Sequence, residues 1–152
     1  MKTFESIKLK LVDKNVPFEE VTFTDVAVSA RTEDTSVNKN YNPENSIKTL
    51  VISTKDGFKA VILRGSDRVD QGKLKEIVGK WSVVDPRTLE EKFDFNPGCV
   101  CPLDLGLLIL IDEGAVNMQL WSMGAGENNK GFNVQKEDAL KVLQNFKIVS
   151  IT

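Results

Sequence analysis

An α+β fold is predicted by three features of the sequence. Short segments with apolar residues at helical spacing carry capping residues at their starts. Between them lie runs rich in β-branched and aromatic residues. Two of those runs are joined through Asp56-Gly57, a strong hairpin signal. The 152 residues are 41% hydrophobic, enough for a real core, and contain no internal repeat or low-complexity tract, so 1–152 reads as one domain.

The elements follow in order. Thr3 is a fair N-cap, Phe4, Ile7 and Leu11 share a helical face, and Pro17 bars continuation, which predicts a helix over 4–14. Phe18–Phe23 reads as a strand. From Thr24 to Ser46 the chain turns polar and is long enough for a lid or substrate-facing loop, with a short helix after Thr32. Ile47–Ser53 and Phe58–Leu63 are the arms of the hairpin. Leu74, Ile77 and Val78 mark a helix that stops at Gly79. Trp81–Val84 reads as a strand, and Asp85-Pro86 opens a helix with a cap and a first-position proline, with Leu89 and Phe93 on one face. Leu107–Ile111 predicts the most buried strand. Asp112-Glu113-Gly114 turns it toward a partner strand at Val116–Trp121. A glycine-rich loop, Gly124–Gly131, leads to a short strand at Phe132–Val134. Ala139, Leu140, Leu143 and Phe146 define the last helix, and Lys147–Ile151 closes with a strand.

Composition excludes several chemistries. With no histidine in the chain, no Ser-His-Asp triad, Cys-His dyad, HExxH site or His-ligated zinc can form. Any catalysis must draw on lysine, carboxylates, hydroxyls, backbone dipoles or the substrate itself. Cys99 and Cys101 are too few for a structural zinc site and too close for an unstrained disulfide, so they read as loop thiols. The net charge of −2 argues against broad nucleic-acid binding and against DNA as a partner. No run approaches the roughly 20 apolar residues of a membrane span, and Met1–Glu5 lacks a signal-peptide core, which leads us to expect a cytoplasmic protein.

Two segments carry chemical information. Ile47-Lys48-Thr49-Leu50-Val51-Ile52 places a lysine at the start of a strand-like run. On spacing alone this is most simply a solvated edge lysine; the functional alternative is a grip on phosphate or a developing oxyanion. Asn96-Pro97-Gly98-Cys99-Val100-Cys101-Pro102-Leu103 contains a Gly-x-x-x-Pro loop, either a structural turn or a hole lined by backbone N–H groups. Two superficial phosphate loops are rejected. Gly124–Gly131 lacks the G-x-G-x-x-G spacing, and Gly65–Leu74 has six residues between its glycines where a P-loop has four. Asp112 is either a site residue or a turn-forming acid. Ser122 and Thr49 are candidate pocket hydroxyls with no visible activating base.

Taken in order and at these separations, Ile47–Val51, Gly98-x-x-x-Pro102, the Leu107–Asp112 strand and the late glycine-rich loop resemble the YbaK/prolyl-tRNA editing family of aminoacyl-tRNA deacylases. The resemblance covers most of the chain, best over 20–145. It implies a mixed, partly barrel-like β-sheet flanked by helices and hydrolysis of the ester that links a wrong amino acid to the 3′ end of tRNA. It further implies that Lys48 holds the terminal nucleotide or substrate. Backbone N–H groups of Gly98, Cys99, Val100 and Cys101 would bind the substrate carbonyl, with Pro102 fixing their loop. Thr49, Asp112, Ser122, Gly124 and Gly126 are the further substrate-binding candidates. A ribose hydroxyl of the terminal adenosine would help activate water, which suits a histidine-free site. Family members often carry histidines near Val28–Thr35 or in the late loop, and this chain has none there.

The expected function is therefore a metal-free, cofactor-free editing deacylase whose partner is the aminoacyl-tRNA acceptor end, with an aminoacyl-tRNA synthetase as a further candidate partner. The alternatives are a non-catalytic tRNA- or synthetase-binding module of the same fold and a hydrolase of another small ester or amide.

Overall fold

The computed structural model describes residues 2–23 and 41–152. The predicted polar loop and short helix between Thr24 and Tyr41, and the Val28–Thr35 segment, lie outside the described residues. Helix α1 spans Phe4–Asp13, where Thr3 accepts from the Ser6 N–H and Ser6 reciprocates in a capping box. Its buried face is Phe4, Ile7 and Leu11. Strand β1 follows at Glu19–Thr22.

The predicted hairpin is β2 (Ile47–Thr54) and β3 (Gly57–Arg64), paired antiparallel over its whole length with Thr54 opposite Gly57. Gly57 takes φ +108°, a value that the tight turn requires and that glycine adopts without strain. Helix α2 (Gln71–Val78) is capped by Asp70 and ends at Gly79 with φ +78°. β4 (Trp81–Val83) and α3 (Pro86–Phe93, capped by Asp85) come next. After a 3₁₀ turn at Pro102–Asp104 come β5 (Ile109–Asp112), a short helix α4 (Glu113–Val116), β6 (Leu120–Gly124), β7 (Lys130–Gln135), α5 (Lys136–Val142) and β8 (Phe146–Val149).

Five strands form one sheet in the order β4-β2-β3-β5-β8, and three form another in the order β1-β7-β6. β3, β5 and β8 run parallel to one another; the remaining pairs are antiparallel. Among the described residues one isolated parallel bridge, between Ser46 and Ser122, joins the sheets. The result is the expected mixed α+β architecture, as two sheets flanked by helices, and among the described residues the strands do not close into a barrel.

Side-chain alternation sorts two cores. One face carries Ile47, Val51, Ala60, Ile62, Ile109, Ile111, Trp121, Met123, Phe132 and Val134, covered by α1, α3, α4 and α5. The other face of the five-stranded sheet carries Ile52, Val61, Leu63 and Leu110 under Leu74 of α2 and Ile151.

Three expectations change. The segment after β5 is a short helix, because the Asp112 carboxylate accepts the Gly114 N–H at 2.9 Å and caps it. The strand expected at Val116–Trp121 starts at Leu120 and pairs with β7, not with β5. Phe146, placed by its spacing in the last helix, opens β8 beyond the helix end at Val142. The apolar Leu107 and Leu108 precede β5, with the Leu108 carbonyl accepting from Ala60 at 3.0 Å.

Candidate functional site

Lys48 lies one residue into β2, on the opposite side of the strand from Ile47, Thr49 and Val51. Ser46 precedes it on the same side and bridges to Ser122. Ser122 and Gly124 alternate with the core residues Trp121 and Met123, so they face away from the first core as Lys48 does. The cross-strand pairs Ser122–Asn133 and Gly124–Gly131 extend this face onto β7. Ser122 and Asn133 are both buried, and the Ser122 hydroxyl donates to Asn133 Oδ1 at 2.5 Å.

The Gly98–Pro102 loop joins this face through Gly124. A Cβ on Gly124 would stand 2.6 Å from the Val100 carbonyl oxygen and 2.9 Å from the Cys99 carbonyl carbon, so only glycine permits the approach. Gly126 adds a hydrogen bond from its N–H to the Cys99 carbonyl at 2.9 Å. Its φ of +85° and its seat against Lys2 and Thr3 of the α1 entry leave no room for a side chain. The Cys99 N–H closes a turn onto Asn96 at 3.1 Å. Among the described residues the N–H groups of Val100 and Cys101 meet no acceptor, although both residues are buried. Buried backbone donors without acceptors are costly, and a ligand oxygen would satisfy them.

The loop is braced from α1. The Phe4 N–H donates to Glu127 at 2.8 Å, and Lys2 and Lys10 reach Asp104 just past Pro102, the latter at 2.6 Å. Both thiols are held protonated: burial pushes Cys101 up to about 12, and burial with the Glu127 charge raises Cys99. The Cys99 thiol donates to Asn128 Oδ1 at 2.8 Å. Neither cysteine is poised as a thiolate nucleophile.

Lys48 also lines a concavity of about 280 Å³ with Pro43, Ser46, Gly65, Ser66, Asp67 and Arg68. Asp67 is held below the usual carboxylate range, first by its hydrogen bond to Arg64 and further by the charges of Arg64 and Lys48, against the cost of burial. Arg64 contacts both Asp67 oxygens, at 2.8 and 3.1 Å.

The site candidates therefore divide. Gly124 abuts the backbone of the Gly98–Pro102 loop, Gly126 pins that loop, and Lys48 lies on the same side of β2 as Ser46, which bridges to Ser122. Thr49 points to the opposite side, into the first core's face. Asp112 is fully buried and saturated by Gly114, the Ile151 N–H at 2.9 Å and the Thr152 hydroxyl at 3.4 Å, a structural tether. Ser46, Asn133, Asp67 and Arg68 escaped the sequence reading because the bridge and the β3 turn assemble them. The one usable signal was Gly65, which ends β3 so close to Ser46 that a Cβ would fall 2.2 Å from its Oγ.

The sequence pattern of the aminoacyl-tRNA editing domain family matches residues 26–142. A proline–tRNA ligase of Ruthia magnifica subsp. Calyptogena magnifica is 30% identical over 88 residues, 58% of this chain and 16% of the ligase. That of Desulfotalea psychrophila is 23% identical over 116 residues, 71% of this chain and 20% of the ligase. The chain thus spans a fifth or less of the length of these relatives. A crystal structure of a candidate trans-editing enzyme for prolyl-tRNA synthetase superposes with a TM-score of 0.84 at 18% identity, covering 98% of this chain and 96% of that one, a likeness of fold. The family match takes in Lys48, the whole Gly98–Pro102 loop and β6 and β7, and this chain belongs to the aminoacyl-tRNA editing domain family.

Proposed function

We propose that the protein is a trans-editing deacylase that hydrolyses the ester of a mischarged aminoacyl-tRNA. What supports this reading is membership of the editing family, whose match takes in Lys48 and the Gly98–Pro102 loop, together with the buried N–H groups of Val100 and Cys101 that meet no acceptor among the described residues. Water attacks the ester carbonyl carbon. The carbonyl oxygen becomes an oxyanion held by loop N–H groups, and the intermediate collapses by expelling the ribose oxygen, which takes up a proton. Free amino acid and uncharged tRNA leave.

With no histidine in the chain and both thiols protonated, no side chain of the described face is a ready general base at neutral pH. Activation of water by a ribose hydroxyl of the terminal adenosine fits that lack, and the reaction so drawn needs no metal. Lys48 supplies a compact positive charge for the terminal nucleotide or the ester oxygen. Each loop donor to the oxyanion is worth roughly 100- to 1,000-fold in rate. Ser122 and Asn133 form a polar floor on the same face.

The test is deacylation of tRNAs charged with alanine, cysteine, serine and threonine, beside correctly charged controls, by wild type and Lys48→Ala. Selective cleavage that the variant loses, at unchanged melting temperature, is expected. Binding without cleavage across the panel would instead make the protein a module that shelters the ester.

A further inference from the structure

We propose that Lys2 is a positioning residue for the reaction, a staple that closes both ends of the segment carrying the Gly98–Pro102 loop. The inference rests on the deacylase reading for its kinetic consequence, while the staple itself stands on geometry. The Lys2 main-chain N–H donates to the Asp94 carbonyl at 3.1 Å, just past the end of α3. The ammonium of the same residue donates to the Asp104 carbonyl at 2.5 Å, where the 3₁₀ turn ends. Between these points the chain makes two turns in series. The Cys99 N–H closes onto the Asn96 carbonyl at 3.1 Å, and the Asp104 N–H closes onto the Cys101 carbonyl at 3.2 Å. Val100 lies between the turns, so the aim of its N–H and of the Cys101 N–H follows from how the outer ends are held.

The ammonium is seated within the fold. The Lys2 side chain is 23% exposed, and its Nζ stands 4.8 Å from the centre of the fully buried Phe95 ring. A cation gains most from an aromatic face where water is excluded. Nζ also lies 3.6 Å from Asp104 Oδ2, a buried oxygen with no hydrogen-bond partner among the described residues, while Lys10 holds Oδ1. Loss of the Lys2 charge would leave that inner oxygen uncompensated. The Lys2 carbonyl meets the opposite wall. It stands 3.1 Å from the point a Cβ on Gly126 would occupy, and the Gly126 N–H donates to the Cys99 carbonyl. One residue thus ties the loop to α3, to the 3₁₀ turn and to the β6–β7 connection. A displacement approaching 1 Å at reacting groups costs on the order of 100-fold, so a partly released loop should lose about ten-fold.

The experiment compares wild type, Lys2→Met, Lys2→Arg and Gly79→Ala in the full chain. Lys2→Met keeps an apolar stem on Phe95 and removes the ammonium, Lys2→Arg restores a cation with N–H donors, and Gly79→Ala strains the end of α2 with nothing within 4 Å. Two readouts are taken without denaturant. The first is labelling of Cys99 and Cys101 by a small disulfide reagent, which reports opening of the loop because both thiols are buried in it. The second is deacylation of the mischarged tRNA panel. Lys2→Met should label roughly ten-fold faster, since a hydrogen bond from a charged group no longer holds the loop shut. Its kcat should fall about ten-fold with KM within about two-fold of wild type. Lys2→Arg should recover most of both, and Gly79→Ala should melt lower while leaving both unchanged. Labelling and kcat at wild-type values in Lys2→Met would overturn the proposal. So would a loss of kcat that matches the unfolded fraction with Lys2→Arg no better than Lys2→Met, because the role would then be structural alone. If wild type cleaves no charged tRNA, the deacylase reading falls and the labelling rates alone judge the staple. If wild type cleaves and labelling is unchanged in Lys2→Met, the staple falls and the deacylase stands.

Discussion

Gly124→Ala tests the coupling between β6 and the proposed oxyanion loop. The new methyl would lie 2.6 Å from the Val100 carbonyl oxygen, whereas ordinary contact begins at 3.4 Å, so relief requires a shift of about 0.8 Å. β6 is held along its length by β7, from Leu120–Gln135 to Gly124–Gly131, so the loop is the part that yields. A displacement approaching 1 Å at reacting groups costs on the order of 100-fold. The expected loss in kcat is therefore about 10- to 100-fold. Overpacking of this kind also costs about 1–3 kcal/mol of stability, a fall in melting temperature of roughly 3–10 °C at this chain length. Single-turnover deacylation at saturating substrate, beside thermal unfolding, reads both. Gly79→Ala is the control: its φ of +78° strains any side chain, nothing lies within 4 Å, and it sits at the end of α2. It should lose about 1–2 kcal/mol with kcat intact. A Gly124→Ala protein that melts lower yet turns over like wild type would refute the claim that the loop's position sets the rate.

Other expectations concern single groups. Asp112→Ala leaves the buried Ile151 N–H without an acceptor and uncaps α4, and should cost about 2–4 kcal/mol in urea unfolding while activity per folded molecule persists. Asp67 has a folded pKa below its ordinary 3.8, so its contribution to stability is present above that value and is lost as the pH falls through the lowered one. The stability difference between wild type and Asp67→Asn should hold above pH 4 and vanish in acid titration. Cys99 and Cys101 are buried with raised pKa values and should resist iodoacetamide at pH 8 until urea is added, with activity undiminished after exposure of the folded protein.

Local signals wrote the local structure. Thr3, Asp70 and Asp85 cap the helices they precede, and Asp56-Gly57 turns the hairpin where expected. What depends on distant pairing was opaque. Nothing near Leu120 says that β6 pairs with β7 in another sheet. Phe146 keeps the helical interval from Leu143, but strand pairing with Ile109 decides its conformation. The site divided the same way. Lys48 and the loop were visible as motifs, yet the Ser46–Ser122 bridge beside the one and the bare Cα of Gly124 against the other were not. Thr49, adjacent to Lys48 in sequence, is sent to the other side by strand alternation.

The parallel pairing of β3, β5 and β8 also sets a timetable for folding. β5, whose four residues are all buried, receives its outer neighbour only when residues 146–149 arrive, and Asp112 finds the Ile151 N–H later still. During synthesis the most apolar strand waits with one bare edge, a template for wrong pairing between nascent chains. Closure must await the emergence of residues 146–151 from the ribosome, so truncation within that stretch should yield aggregation rather than a folded but less stable protein.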